Sequence, residues 1–100
     1  MKYGLSQQTI DSLNHVFVKY PTIKKVKIYG SRVKGNFKAG SDIDLSIFGD
    51  TDLSTLIKIE NQIDDLLLPY KIDISIFHQI QNVELVSHIN RIGEVFYENS

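Results

Sequence analysis

Gly30-Ser31-Arg32-Val33-Lys34-Gly35-Asn36-Phe37-Lys38-Ala39-Gly40-Ser41-Asp42-Ile43-Asp44-Leu45 is the stretch on which the architecture turns. Residues 30–41 hold three of the six glycines and read as a turn, at most one helical turn, and then a loop. A strand runs into it. From Ile23 to Tyr29, Val26 and Ile28 alternate with Lys25, Lys27 and Tyr29, and the pattern stops at Gly30. A second strand runs out of it, with Ile43, Leu45 and Ile47 on one face and Asp42, Asp44, Ser46 and Phe48 on the other.

Farther out, the chain alternates helices with strands. Ser6 caps a helix whose apolar side is Leu5, Ile10, Leu13, Val16, Phe17 and Tyr20, and Pro21 ends it. Downstream, Gly49-Asp50-Thr51-Asp52 is a turn with a capping residue. Leu53, Leu56, Ile57, Ile63 and Leu67 then form a helical stripe ended by Pro69. A third strand, Lys71 to Phe77, sets Ile72, Ile74 and Ile76 against Asp73, Ser75 and Phe77. A last helix around Val83 to Ile92 closes at Gly93, and Glu94 to Tyr97 reads as a short edge strand. The order α-β-(turn)-β-α-β-α predicts an α/β (α+β) fold, a small mixed sheet with helices packed on it.

Length and composition bound the rest. One hundred residues, 42% hydrophobic, predict a single domain over 1–100 with one core and no room for a second lobe. The absence of Cys excludes a disulfide framework, a thiolate metal site and a Cys nucleophile. The N-terminus MKYGLSQQTIDSL lacks a signal-peptide run, and Leu66-Leu67-Leu68 is too short to span a bilayer, so a cytoplasmic protein without a membrane partner is expected. The net charge of -1 hides a division at Gly40: residues 1–40 carry eight basic side chains against Asp11, and residues 41–100 carry eleven carboxylates against Lys58, Lys71 and Arg91. Without an overall basic excess, duplex nucleic acid is not an expected partner. The run Lys24, Lys25, Lys27 is expected on a solvated strand edge, where it discourages edge-to-edge pairing. His15, His78 and His88 are isolated and are assigned no catalytic role.

Three features can carry chemistry. Asp42 and Asp44, at i and i+2 of a strand, share a face about 6.6–7 Å apart. Two carboxylates so placed cannot both be buried without a cation, and oxygen ligands are those that Mg²⁺ prefers; the alternative is a pair of solvated strand-end aspartates. Asp73 lies on the polar face of a strand with the same pattern. If that strand is a neighbour, three like charges share one face and repel without metal; the alternative is an exposed edge position. Gly30-Ser31-Arg32-Val33-Lys34-Gly35, placed straight after a strand, offers backbone N–H groups, a hydroxyl and two cations as an anion cradle. Asn36 stands where a Walker A loop needs Lys, so it is not that motif. The alternative here is an ordinary βα turn with solvated charges.

The order and spacing of all three resemble the nucleotidyltransferase superfamily with a DNA polymerase beta-like core, and within it the minimal nucleotidyltransferase (MNT) domains of bacteria and archaea. The signature stands as Gly30-Ser31-Arg32-Val33-Lys34-Gly35 … Gly40-Ser41-Asp42-Ile43-Asp44-Leu45, with the resemblance extending from about Tyr29 to Tyr97. It implies that Asp42, Asp44 and Asp73 are the catalytic and metal-holding residues, with two Mg²⁺ ions bridging the phosphates of ATP and Asp73 near the acceptor hydroxyl. It implies nucleotide binding by Gly30, Ser31, Arg32, Lys34 and Ser41. At Lys34 the family often has Arg; Lys is a point charge without the bidentate fork, and Arg32 is expected to compensate.

MNT domains of this length typically occur with a small helical HEPN-domain partner, as the two halves of a toxin–antitoxin pair. The resemblance therefore implies an antitoxin that transfers AMP from ATP to a tyrosine of a HEPN-domain toxin. Two other readings stand beside it: a catalytically silent antitoxin that neutralises its partner by contact, and a nucleotidyltransferase acting on a small molecule of aminoglycoside type. The small-molecule reading lacks a visible acceptor-binding lobe.

Overall fold

The structure, a computed structural model, describes residues 2–99. Its order is α1 (Gln7–Phe17), β1 (Ile23–Tyr29), α2 (Ser31–Lys34), β2 (Ile43–Gly49), α3 (Leu53–Asp64), β3 (Ile72–Ile76), a 3₁₀ turn (Phe77–Gln79), α4 (Val83–Ile92) and β4 (Glu94–Glu98). The four strands form one sheet in the order β3-β2-β1-β4, mixed α/β as the alternation predicts. The β1–β2 and β1–β4 pairs are antiparallel, and β2–β3 is parallel with α3 as its crossover.

Two-residue periodicity gives the sheet unlike faces. Val26, Ile28, Ile43, Leu45, Ile47, Ile74 and Ile76 are buried and join one core with Leu13, Val16 and Phe17 of α1 and Leu56, Ile59 and Ile63 of α3. At about 25 cal/mol per Å² of apolar surface, this layer supplies most of the fold's stability. The opposite face carries Asp44, Ser46 and Phe48 of β2 beside Asp73, Ser75 and the following Phe77, and α4 packs on its β1 side. The caps are local. The Ser6 hydroxyl accepts from Thr9 N–H at 3.2 Å, and an Asp52 carboxylate oxygen accepts from Thr55 N–H at 2.8 Å.

Three expectations are corrected. The first helix ends at Phe17, ahead of Pro21. In α3 the buried stripe is Leu56, Ile59 and Ile63, while Leu53 and Ile57 lie on its exposed flank. Leu67 does not continue the stripe: the helix stops at Asp64, and Leu67 takes a positive φ of 54° that turns it out to 86% exposure. Finally, β1 is an interior strand, so Lys25 and Lys27 protect no sheet edge. Their ammonium groups instead lie 5.0 and 5.4 Å from the centroid of the Phe48 ring, which stacks on Phe77 at 4.2 Å.

Candidate active site

Strand register assembles the carboxylates. β2 and β3 pair in parallel with Asp44 directly opposite Asp73, and β1 sets Tyr29 opposite Asp44 on the other side. Asp42 stands one residue ahead of β2, and the Ile43 N–H donates to Lys71 C=O at 2.9 Å, which ties the start of the β2–β3 pair. Asp42 and Asp73 are exposed, and Asp44 between them is half-buried. Its carboxyl is held above the ordinary carboxylate range, first by burial and then by the negative charges of Asp73 and Asp42, with Arg32 opposing. The two strands are neighbours, and β3 is also the edge of the sheet, so Asp73 combines the register place beside Asp44 with the exposed edge position named as its alternative.

Gly30 places the other half of the site. It leaves β1 with φ 81°, and a Cβ there would run into the Asp44 carboxylate. Glycine is therefore needed twice, for the left-handed backbone and for the close approach. The four-residue α2 starts at once, capped at its far end by Gly35 with φ 86°. The Ser31 and Arg32 amides, at the head of this turn, have no intrahelical acceptor and sit next to the carboxylate cluster. Ser31 is half-buried, while Lys34 is exposed.

Arg32 departs from what the sequence predicts. It is only 3% exposed, and its guanidinium donates to backbone carbonyls: Tyr3 at 2.9 Å, Ala39 at 3.4 Å, and Ser41 twice, at 3.2 and 2.8 Å. Phe37 and Tyr70 flank it, with ring centroids 5.2 and 4.9 Å away. Ser41 closes the loop: its Oγ accepts from Lys38 N–H at 2.8 Å, and its N–H donates to Lys38 C=O at 3.0 Å. Both residues serve the loop that carries Asp42.

Two residues near the carboxylates escape sequence reasoning. Tyr29 is 7% exposed, and its phenol is pushed up by burial, with the Ser75 hydroxyl opposing and Asp44 and Asp73 adding to the rise. His88 of α4 meets the Tyr29 ring edge-on at 6.0 Å, and burial followed by the charges of Lys34 and Arg91 lowers its pKa. The place of Tyr29 just ahead of Gly30, in phase with Lys25 and Lys27, was a usable signal. His88 offered none, because only the packing of α4 brings it there.

A set of hard carboxylate oxygens, one of them already burdened by its neighbours, suits a divalent cation. Among the described residues, no group of three or more His, Cys, Asp or Glu side chains converges closely enough to hold a metal ion. A carboxylate pair that leaves coordination positions to phosphate oxygens is the Mg²⁺ pattern rather than a closed protein cage. No helix among the described residues is long and apolar enough to cross a membrane.

The fold agrees with comparisons to known proteins. The family described as "Polymerase beta, Nucleotidyltransferase" matches residues 11–100. No curated protein matches the sequence. Among solved structures, a toxin–antitoxin with AMP-PNP superposes with a TM-score of 0.71 at 16% identity, covering 96% of this chain and 76% of that one. The tri-AMPylated Shewanella oneidensis HEPN toxin in complex with MNT antitoxin gives a TM-score of 0.69 at 12% identity, over 95% of this chain and 74% of that one. The toxin–antitoxin MntA-HepT gives 0.68 at 12% identity, over 94% and 74%. At such identities the likeness is one of fold.

Proposed function

The chain belongs to the polymerase beta nucleotidyltransferase family, and from that premise we propose that it moves AMP from ATP to a hydroxyl, that of a tyrosine, on a HEPN-domain toxin. It thereby acts as the cytoplasmic antitoxin of a hetero-oligomeric pair. The observation that carries the reading is the packing of the Gly30–Ser31 turn onto Asp44, with Asp73 in register beside it. On this reading the turn after β1 is the phosphate cradle and the neighbouring carboxylates are the metal-holding groups, at one end of one sheet face. The structural neighbours solved with AMP-PNP and with an AMPylated HEPN toxin support the choice of nucleotide and acceptor.

Asp42 and Asp44 would hold two Mg²⁺ ions together with the triphosphate, and Asp73, the register partner of Asp44, would stand near the acceptor hydroxyl. When bound, Mg²⁺ neutralises the triphosphate, lowers the pKa of the acceptor hydroxyl and stabilises the departing pyrophosphate. The protein supplies position and field. Gly30 leaves room for phosphate close to Asp44, the Ser31 and Arg32 amides and the Ser31 hydroxyl donate to its oxygens, and Lys34 adds a point charge from the open side of α2. Ser41 acts on the nucleotide site through its loop. Asp73, the exposed carboxylate on β3, takes the proton of the acceptor hydroxyl as the hydroxyl oxygen bonds to the α-phosphorus and the bond from that phosphorus to the leaving pyrophosphate breaks.

The test is direct. The purified chain, its HEPN partner, Mg²⁺ and α-labelled ATP are expected to give label on the partner. No label, together with full toxin neutralisation by the Asp42→Ala/Asp44→Ala variant, would overturn the reading in favour of neutralisation by contact.

A further inference from the structure

Within α2, residues 32 and 34 are both basic, yet their surroundings are opposite. Lys34 is solvated, whereas Arg32 is almost completely enclosed. A guanidinium withdrawn from water must have its N–H groups taken up and its charge compensated. Arg32 achieves this through neutral partners: carbonyl oxygens of two separate segments accept from it, and its Cζ lies over the Phe37 and Tyr70 rings.

Where these bonds go matters. Nε and Nη2 converge on one oxygen, the Ser41 carbonyl, which belongs to the peptide unit leading into Asp42. Nη2 also reaches Ala39 in the same tight turn, which Lys38 and Ser41 close from within. Nη1 reaches Tyr3, on the segment before α1. That segment is moulded to the guanidinium. Tyr3 and Gly4 have φ of 57° and 70°, and a Cβ on Gly4 would meet the Phe37 ring and lie 3.1 Å from Arg32 Nη1. Tyr3 is in turn fastened to β4 by its phenol, which donates to Glu94 at 3.1 Å.

We propose that Arg32 is a positioning residue: its guanidinium fixes the Ala39–Ser41 turn against α2, and so sets where Asp42 and Asp44 stand relative to the Gly30–Ser31 cradle. The guanidinium does not grip phosphate. The inference rests on Asp42 and Asp44 being the metal-holding pair of the function proposed above. A lysine cannot replace it, since one ammonium lacks the fork that reaches the Tyr3, Ala39 and Ser41 carbonyls together. Loss of the fork lets the turn drift, and a displacement near 1 Å in reacting groups lowers turnover on the order of 10²-fold.

The experiment compares Arg32→Lys with Lys34→Gln in the full chain, through three readouts: AMP-transfer kinetics, Mn²⁺ binding without nucleotide, and amide exchange over residues 39–44. Arg32→Lys is expected to lower kcat at least about tenfold, weaken Mn²⁺ binding severalfold and speed exchange in the turn, with KM for ATP within about twofold of wild type. Lys34→Gln is expected to do the reverse, raising KM for ATP and leaving Mn²⁺ binding and exchange unchanged. Tyr70→Leu keeps every guanidinium donor and removes one ring; it repeats the Arg32→Lys pattern more weakly and carries the test if Arg32→Lys does not fold. The proposal is overturned if Arg32→Lys raises KM for ATP while Mn²⁺ binding and exchange stay at wild-type level, or if it changes none of the three. In a wild type that transfers no AMP, which overturns the function above, the Mn²⁺ and exchange arms still decide the role of Arg32.

Discussion

The two faces of β2 and β3 are made by alternate residues of the same two strands and do opposite things. On one side Ile43, Leu45 and Ile47 pair with Ile72, Ile74 and Ile76, and all but the half-buried Ile72 are buried in the core. On the other, Asp44 pairs with Asp73, Ser46 with Ser75, and Phe48 stacks on Phe77. The apolar face gains from every contact. The polar face begins with a repulsion and is tolerated because the other face holds the sheet together. Its middle rung is quieter: the Ser75 hydroxyl donates to Ser46 at 3.2 Å, which satisfies a side chain with no exposure at all.

The sharpest way to separate the faces is to remove the carboxylates. Asp42→Ala/Asp44→Ala is expected to lower AMP transfer by at least about 10³-fold while the protein stays folded, read by labelling and by circular dichroism. A matching change on the other face does the converse. Leu45→Ala, at a position with 0% exposure, is expected to cost about 3 kcal/mol of stability in denaturant unfolding, through lost burial and the cavity left behind.

Gly30→Ala tests the seam where turn and carboxylate meet. The left-handed backbone alone costs about 1–2 kcal/mol for a residue with a Cβ. Here the methyl group also pushes on Asp44, so transfer is expected to fall more steeply than stability. Gly35→Ala shares the positive φ, but a Cβ there meets nothing within 4 Å. It should show the stability loss without the matching loss of transfer.

The smallest expected effect is the most diagnostic of the polar face. Burial, with Asp73 and Asp42, raises the pKa of Asp44, so the native state binds its proton more readily than the unfolded chain does. The ionised form therefore opposes folding above the folded-state pKa, and that penalty fades as pH falls through it. Without metal, Asp44→Asn is expected to melt a few degrees higher than wild type at neutral pH. The gap should close on acidification, and Mg²⁺ with nucleotide should reverse it by stabilising only the wild type.

Much of this was legible from local pattern. Alternation of Ile with Asp, Ser and Phe marked β2 and β3 and told their faces apart, and Ser6 and Asp52 announced helix starts. Asp42, Asp44, Asp73 and Gly30 stood out through their combined order and spacing, since Asp-x-Asp and a glycine turn after a strand are each common alone. Leu67 was misread, and the enclosure of Arg32 was not foreseen, for a shared reason. Each was assigned from its own chemistry, a cation facing an anion and a leucine facing a core, while the outcome depended on segments distant in sequence or on where a helix stopped. His88 and Tyr29 meet through packing alone.

What the amino-acid sequence determined by itself was the list of elements and the two-sidedness of the strands, because helix and strand periods are properties of neighbouring residues. It also contained the signature, since the Gly30–Asp44 spacing is local. What only the tertiary structure decided was which polar groups face each other: Asp73 beside Asp44 through a parallel register, β1 in the interior of the sheet, and a basic side chain turned inward to hold three carbonyls. Those outcomes follow from strand register and close packing. Both are set by the requirement to bury one apolar face completely, and the functional face takes its geometry from that requirement.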